Sequence, residues 1–231
     1  MTIEAPTVYV IDDDRVDRES ACALIASAGF AVRGFESGTE FLELYDGNGP
    51  GCVVTDYRMA GLDGLELLER IAARNWLLPV IVVSGFADIP ATVRAMRSGA
   101  VVLLEKPYQQ GELMGAISRG IELNAKWRHG TRQKELIRAK FDSLTSGEKA
   151  VLELLLNGLP NKQIARQLEI GLRTVERRRH LILKKMGVDT VAMVARLIAV
   201  IEKPSLGLPI HLEPGNSSLL AGNHVLAHER T

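Results

Sequence analysis

The chain has little cysteine, no long apolar run and no net charge. Cys22 and Cys52 are its two cysteines in 231 residues. One falls in a predicted helix and one at the start of a predicted strand. They read as small buried hydrophobes in a reduced compartment, not as a disulfide or a metal pair. No segment approaches the roughly 18 consecutive apolar residues that a membrane span needs. The first apolar run is short and followed by acids, so no signal peptide is expected. Lys and Arg number 28, as do Asp and Glu. That balance hides an asymmetry: residues 1–124 hold 10 basic and 18 acidic side chains, and residues 143–203 hold 11 and 6. An acidic front and a basic back predict two domains, the second suited to a polyanion.

Four short apolar runs dominate the front half. VYVI leads into Asp12, Asp13 and Asp14; CVVT into Asp56; VIVV into Ser84; VVLLE into Lys106 and Pro107. Strands of a parallel sheet covered on both faces read as such runs. With a further strand near 30–35 and intervening helical segments, the pattern predicts a doubly wound α/β domain with a five-stranded parallel sheet. Helices are expected near 16–28, 37–45, 64–73, 89–98 and 109–123. Ligands of such sheets bind outside the carboxyl ends of the strands. Carboxylates, a hydroxyl and an ammonium should therefore surround one crevice. Such a set can bind a divalent cation and hold a phosphoryl group on an aspartate. A carboxylate is a weak nucleophile, and its repulsion from phosphoryl oxygens must be removed. Mg²⁺ held by Asp12 or Asp13 together with Asp56 would do so. Lys106 can neutralise another phosphoryl oxygen, and Ser84 can donate a hydrogen bond to one. Each residue alone has a plainer role as a helix cap, turn residue or solvated strand end. The four strand ends together favour the shared crevice.

Residues 125–143 carry many basic and few apolar side chains, and Gly130 interrupts them. They read as an exposed, mostly helical linker. Residues 144–203 show only helix signals and predict an all-α domain of four helices. Thr145-Ser-Gly-Glu148 has capping-box spacing, Asn161 can cap a short second helix, and a tight turn at 169–172 precedes a longer basic one. Gly187 should end that helix, and Asp189 or Thr190 should cap the last. This is helix–turn–helix spacing. Val175, Ile182 and Met186 should face the core. Glu176, Arg177 and His180 lie on another face, where Arg177 can bond guanine and Glu176 a cytosine amino group. Lys162, Arg173, Thr174, Arg178 and Lys185 are placed for phosphates. A solvated basic helix in a protein-binding bundle is the plain alternative. Residues 204–231 read as a flexible tail.

The segments VYVIDDD, CVVTDYRMAGLDGLELL, VIVVSGFADIPATVRAMRSGA and LLEKPY resemble the CheY-like receiver domain of two-component response regulators, with the flavodoxin-like strand order. Residues 144–201 resemble the LuxR-type helix–turn–helix domain. Together they resemble the FixJ branch of the NarL/FixJ family. The resemblance implies Asp56 as phosphoacceptor, and Mg²⁺ held by Asp12, Asp13, Asp56 and the Arg58 main-chain carbonyl. It implies Lys106 as phosphoryl-binding lysine, a Ser84 that moves on phosphorylation, and a cis Lys106–Pro107 bond. It further implies a cytoplasmic, non-enzymatic regulator with a sensor histidine kinase, double-stranded DNA and RNA polymerase as partners, forming a homodimer on phosphorylation through residues near 89–105. Ala60 stands where the family has proline, Leu103 where it often has Tyr or Phe, and Arg58 and Phe86 are bulky beside the approach of water, which predicts a long-lived phosphoryl group. Gly171, Leu172 and Arg178 also depart from the pattern, usually Ser or Thr, Pro and His. Two rivals remain at this level. Asp12–Val16 fits the D-x-D-x-[TV] pattern of haloacid-dehalogenase phosphatases, and a constitutively active DNA-binding module would use phosphorylation little.

Overall fold

The computed structural model describes residues 5–85 and 89–202. Five strands, Thr7–Ile11 (β1), Ala31–Phe35 (β2), Gly51–Asp56 (β3), Val80–Ser84 (β4) and Val102–Glu105 (β5), form one sheet in the order β2-β1-β3-β4-β5. All four pairings are parallel. The central strands β3 and β4 are buried at every position but Asp56, which is why they read as unbroken apolar runs. Alternate side chains feed two cores, as the two-residue period of a strand requires. Tyr9, Ile11, Val53, Val80 and Val82 pack with Leu67, Leu68 and Ile71 of helix Gly64–Ala73 (α3) and with Phe41 of helix Gly38–Leu44 (α2). Val8, Val10, Cys52, Val54, Ile81 and Val83 pack with Ile25 of helix Arg15–Ser27 (α1) and with Leu113 and Ile117 of α5 (Gln110–Asp142). Helix Ile89–Arg97 (α4) lies between β4 and β5 in the chain. Both thiols are free, and burial pushes that of Cys52 up to about 12, so it stays protonated at neutral pH.

The expected helix near 109–123 and the separate linker at 125–143 are instead a single helix, α5, of 33 residues. Its N-terminal half lies close on the sheet: a Cβ on Gly120 would stand 3.1 Å from that of Cys52. Asn124, buried, accepts from the Gly51 amide at 3.1 Å and donates to the Leu77 carbonyl. Its C-terminal half belongs to a third core, that of the C-terminal helices, where Ile137 and Phe141 pack beside buried Leu144, and Lys140 Nζ donates to the Met186 carbonyl at 3.2 Å. The helix runs through Gly130 because it is anchored on both sides. A mid-helix glycine costs about 1 kcal/mol, less than burying two large side chains stabilises.

The remaining helices, Ser146–Leu156 (α6), Asn161–Gln167 (α7), Leu172–Met186 (α8) and Val191–Glu202 (α9), enclose Val151, Leu152, Ile164, Val175, Ile182, Met186 and Val194. Gly187 closes α8 in the left-handed conformation, at φ 71°. Thr190 caps α9, its hydroxyl accepting from the Met193 amide at 3.2 Å. Asn161 does not cap α7 but is its first residue, preceded by Pro160. No helix among the described residues is long and apolar enough to cross a membrane. The tail expected at 204–231 lies outside the described residues.

Nothing lies within 4 Å of a Cβ built on Gly130. Gly130→Ala should therefore stabilise the protein by about 0.5–1 kcal/mol, read as a higher midpoint in urea. A lower midpoint would show that α5 is not continuous there.

Candidate functional site

Strand register assembles the acidic pocket. Ile11 pairs with Thr55, so Asp12 and Asp56 emerge side by side from β1 and β3. Asp56 pairs with Val83 and Ser84 with Glu105, which brings β4 and β5 to the same edge. The Ser84 carbonyl accepts from the Lys106 amide at 2.8 Å, and the Lys106–Pro107 bond is cis. The Ser84 side chain is buried. From this edge Lys106 Nζ reaches three carboxylates: Asp12 at 3.0 Å, Asp56 at 2.8 Å and Asp17 at 2.7 Å. The second oxygen of Asp56 accepts from the Arg58 amide at 2.7 Å, and Asp13 accepts from the Ala60 amide at 2.9 Å. Asp14 caps α1, accepting from Val16 and Asp17. A Cβ on Gly64 would stand 2.3 Å from the Asp56 carbonyl oxygen, so only glycine lets α3 begin this close to the pocket.

Burial pushes the Asp12 carboxyl up from its ordinary value, against the hydrogen bond and charge of Lys106. Burial alone would lower the Lys106 ammonium, but its hydrogen bonds to Asp17, Asp56 and Asp12 override this and raise it. Lys106 is therefore charged at any physiological pH. Among the described residues no three Asp, Glu, His or Cys side chains converge as a metal-binding group. Mg²⁺ nonetheless needs only one or two carboxylates plus waters or carbonyls. Asp12 and Asp56, side by side with Asp13 on the same rim, have the hard oxygen chemistry it prefers. The residues present fit such an ion, with Lys106 now bonded to both inner carboxylates.

Asp12, Asp56 and Lys106 thus meet directly, Asp13 and Arg58 hold the adjoining loop, and Ser84 is joined to Lys106 through the backbone. Phe86 lies outside the described residues. Asp17 escaped the sequence reading. The available signal was its position in the first turn of a helix following three acids, on the side of α1 that meets the strand ends. Leu103 is partly buried against the core that contains Tyr57. Tyr57, next to Asp56, supplies an aromatic ring on that side. Its hydroxyl accepts from the guanidinium of Arg94 on α4 at 2.7 Å, and the guanidinium lies 6.0 Å from the ring centre. Val93 and Met96, flanking Arg94 in sequence, are exposed.

In the helical unit α7 and α8 pack against each other across a turn in which Glu169 takes φ 52°. Val175, Ile182 and Met186 are buried, while Arg173, Glu176, Arg177 and His180 are exposed along α8 and Lys162 is exposed on α7. Thr174 is half-buried. Gly171 precedes α8 without a side-chain cap. Two residues expected at phosphates face inward. Arg178 donates to the Gly147 carbonyl at 3.3 Å. Lys185 donates to the Ser143 carbonyl at 3.1 Å and to Glu148 at 2.6 Å. The same Glu148 oxygen accepts from the Thr145 amide at 2.8 Å, and the Thr145 hydroxyl accepts from the Glu148 amide, completing the capping box. Burial would raise the Glu148 carboxyl, but Lys185 and the Thr145 amide outweigh it and lower it.

A parallel sheet with a carboxylate pocket at its switch point, joined to a basic helix–turn–helix unit, defines a response regulator with a DNA-binding output domain. Comparison with known proteins agrees. The family profile "Response regulator receiver domain" matches residues 8–118, and "Bacterial regulatory proteins, luxR family" matches residues 142–198. The transcriptional regulatory protein FixJ of Bradyrhizobium diazoefficiens is 40% identical over 190 residues, covering 82% of this chain and 93% of that protein. The response regulator protein TmoT of Ectopseudomonas mendocina is 34% identical over 197 residues, covering 85% and 90%. Among solved structures, the response regulator StyR has TM-score 0.76 at 40% identity, covering 84% of this chain and 98% of that one. Full-length FixJ from B. japonicum has TM-score 0.53 at 38% identity, covering 86% and 98%. The chain belongs to the NarL/FixJ family of response regulators, which are transcription regulators and not enzymes, so the phosphatase rival falls away.

Removing Lys185 leaves a buried carboxylate without its counter-charge. Lys185→Met should cost about 2 kcal/mol at neutral pH, measured by thermal or urea unfolding. The Glu148 carboxyl is lower folded than unfolded, so its contribution is present above the unfolded value near 4.5 and fades as pH falls through the folded one. The gap between variant and wild type should narrow below that pH. A gap that widens in acid would contradict the pairing.

Proposed function

We propose that the protein is switched by phosphorylation of Asp56 and then regulates transcription as a DNA-bound homodimer. One observation carries this reading. Asp56 stands at the C-terminal end of β3 with one oxygen on Lys106 and the other on the Arg58 amide, beside Asp12. In transfer from a sensor histidine kinase, an Asp56 oxygen attacks phosphorus while the P–N bond of the phosphohistidine breaks. The electron pair stays on the departing imidazole. Asp12, Asp13, Asp56 and the Arg58 carbonyl would hold Mg²⁺, which when bound offsets the charge between carboxylate and phosphoryl oxygens. Lys106 would then bond one phosphoryl oxygen and the Ser84 hydroxyl another. The bulk of Arg58, whose amide bonds Asp56, slows the approach of water and prolongs the phosphoryl state.

Phosphorylation shifts an existing equilibrium toward a receiver that pairs through α4 and β5, where Val93 and Met96 are exposed. Pairing presents two α8 helices to half-sites about one turn of DNA apart. Arg177, Glu176 and His180 face base edges, and Lys162, Arg173 and Thr174 face phosphates. Arg178 and Lys185 are left out of this set because their partners lie within the domain. The setting is the cytoplasm, with RNA polymerase as a further partner at the promoter.

Asp56→Asn should abolish labelling by acetyl phosphate, the resulting dimerisation in sedimentation, and tight operator binding in gel shifts. Phosphodonor-dependent DNA binding by that variant would refute the assignment, and equal binding without any phosphodonor would favour the constitutive module. In the DNA-binding domain, Arg177→Ala should cost about 1–3 kcal/mol on the best operator and relax its sequence preference. Lys162→Ala should weaken all DNA alike and flatten the salt dependence of binding.

A further inference from the structure

An ammonium has three N–H donors, and in Lys106 all three have a carboxylate: Asp12, Asp17 and Asp56. If Asp56 accepts a phosphoryl group that Lys106 then bonds, one of these partners must yield. The three are not equal. The side chains of Asp12 and Asp56 are only 10% and 12% exposed, whereas that of Asp17 is 51% exposed. Water can replace Lys106 at Asp17 at little cost, but not at the buried pair. The first turn of α1 fixes Asp17 in place, because Asp14 accepts from both the Val16 and the Asp17 amides. Asp17 also lines an open cleft of about 460 Å³ with Ser20, Leu24, Lys106 and Tyr108, so its charge faces any anion that approaches by that route.

We propose that Asp17 is a positioning residue that holds Lys106 in the unphosphorylated pocket and competes with the phosphoryl group for one of its N–H donors. The inference rests on Asp56 as phosphoacceptor and adds a second determinant of how readily that residue is charged. Asp17 is displaced into solvent as the phosphoryl oxygen takes its place. Its negative charge also opposes the approach of an anionic donor. Both effects favour the unphosphorylated state, so removing the charge should ease phosphorylation.

The test measures initial labelling rates of the full-length protein against acetyl phosphate concentration, with Mg²⁺ present, for wild type, Asp17→Asn, Asp17→Glu and Asp56→Asn. Asp17→Asn should lower the half-saturating concentration about threefold, the size expected for loss of one exposed ion pair, with the unfolding midpoint little changed. Asp17→Glu, which keeps the charge, should stay close to wild type. In metal-free protein the hydrogen-bonded Lys106 ammonium protons, followed by ¹⁵N-lysine NMR, should exchange faster in Asp17→Asn than in wild type. A wild-type half-saturation in Asp17→Asn, or an equal fall in Asp17→Asn and Asp17→Glu, would overturn this inference while leaving the phosphoacceptor in place. Labelling of Asp56→Asn would overturn both.

Discussion

Carboxylates crowded at one edge of a sheet repel each other, and the receiver half of this protein is arranged around the cation that lets them stay. Asp12 and Asp56 leave neighbouring strands with little exposure to water. In a partly desolvated site like charges at such range cost several kcal/mol. Lys106, delivered by the turn after β5, offsets that repulsion and ties the ends of β1, β3 and β5 to one atom. The helical domain solves a smaller version of the same problem. Glu148, buried at the start of α6, is held by the capping box and by Lys185 from α8. In both domains one lysine joins elements far apart in sequence, so local order and domain architecture rest on the same contact.

Much of the receiver was legible because its central strands are buried on both faces. Continuous apolar runs leave few other readings, and the polar residue ending each run marks the crevice directly. Helix boundaries fell within a residue or two of the structure wherever a cap residue or a stopping glycine was present, as at Asp63, Thr145 and Gly187. What was not legible shares one cause: local sequence does not reveal a distant partner. Gly130 looked like a break because its intrinsic cost is visible, whereas the anchoring of Ile137 and Phe141 in the core of the C-terminal helices is not. Lys185 is expected at a phosphate, and nothing near it in sequence announces that α6 begins opposite its ammonium. Asp17 went unremarked because Lys106 lies 89 residues away.

The departures from the family pattern take on structural meaning in place. Ala60 has no proline ring to stiffen its loop, but it keeps an amide, and that amide bonds Asp13. A proline there would have none to give. Leu103 leaves β5 without an aromatic ring, yet Tyr57 provides one beside Asp56 and joins it to α4 through Arg94. The contact between the pocket and the α4 surface thus comes from the residue adjoining Asp56, at the end of β3.

The continuity of α5 has a geometric consequence. A flexible tether would let the two domains search independently, and its length would matter only through how far it reaches. A helix instead acts as a screw. Each residue inserted between Asn124 and Ile137 would advance the DNA-binding half by about 1.5 Å and turn it by about 100°. The angular phase between the receiver and the α8 helix is thereby written into the number of residues in α5. Over generations, a change of three or four residues in that stretch nearly restores the phase, while a change of one or two turns α8 well away from its original direction.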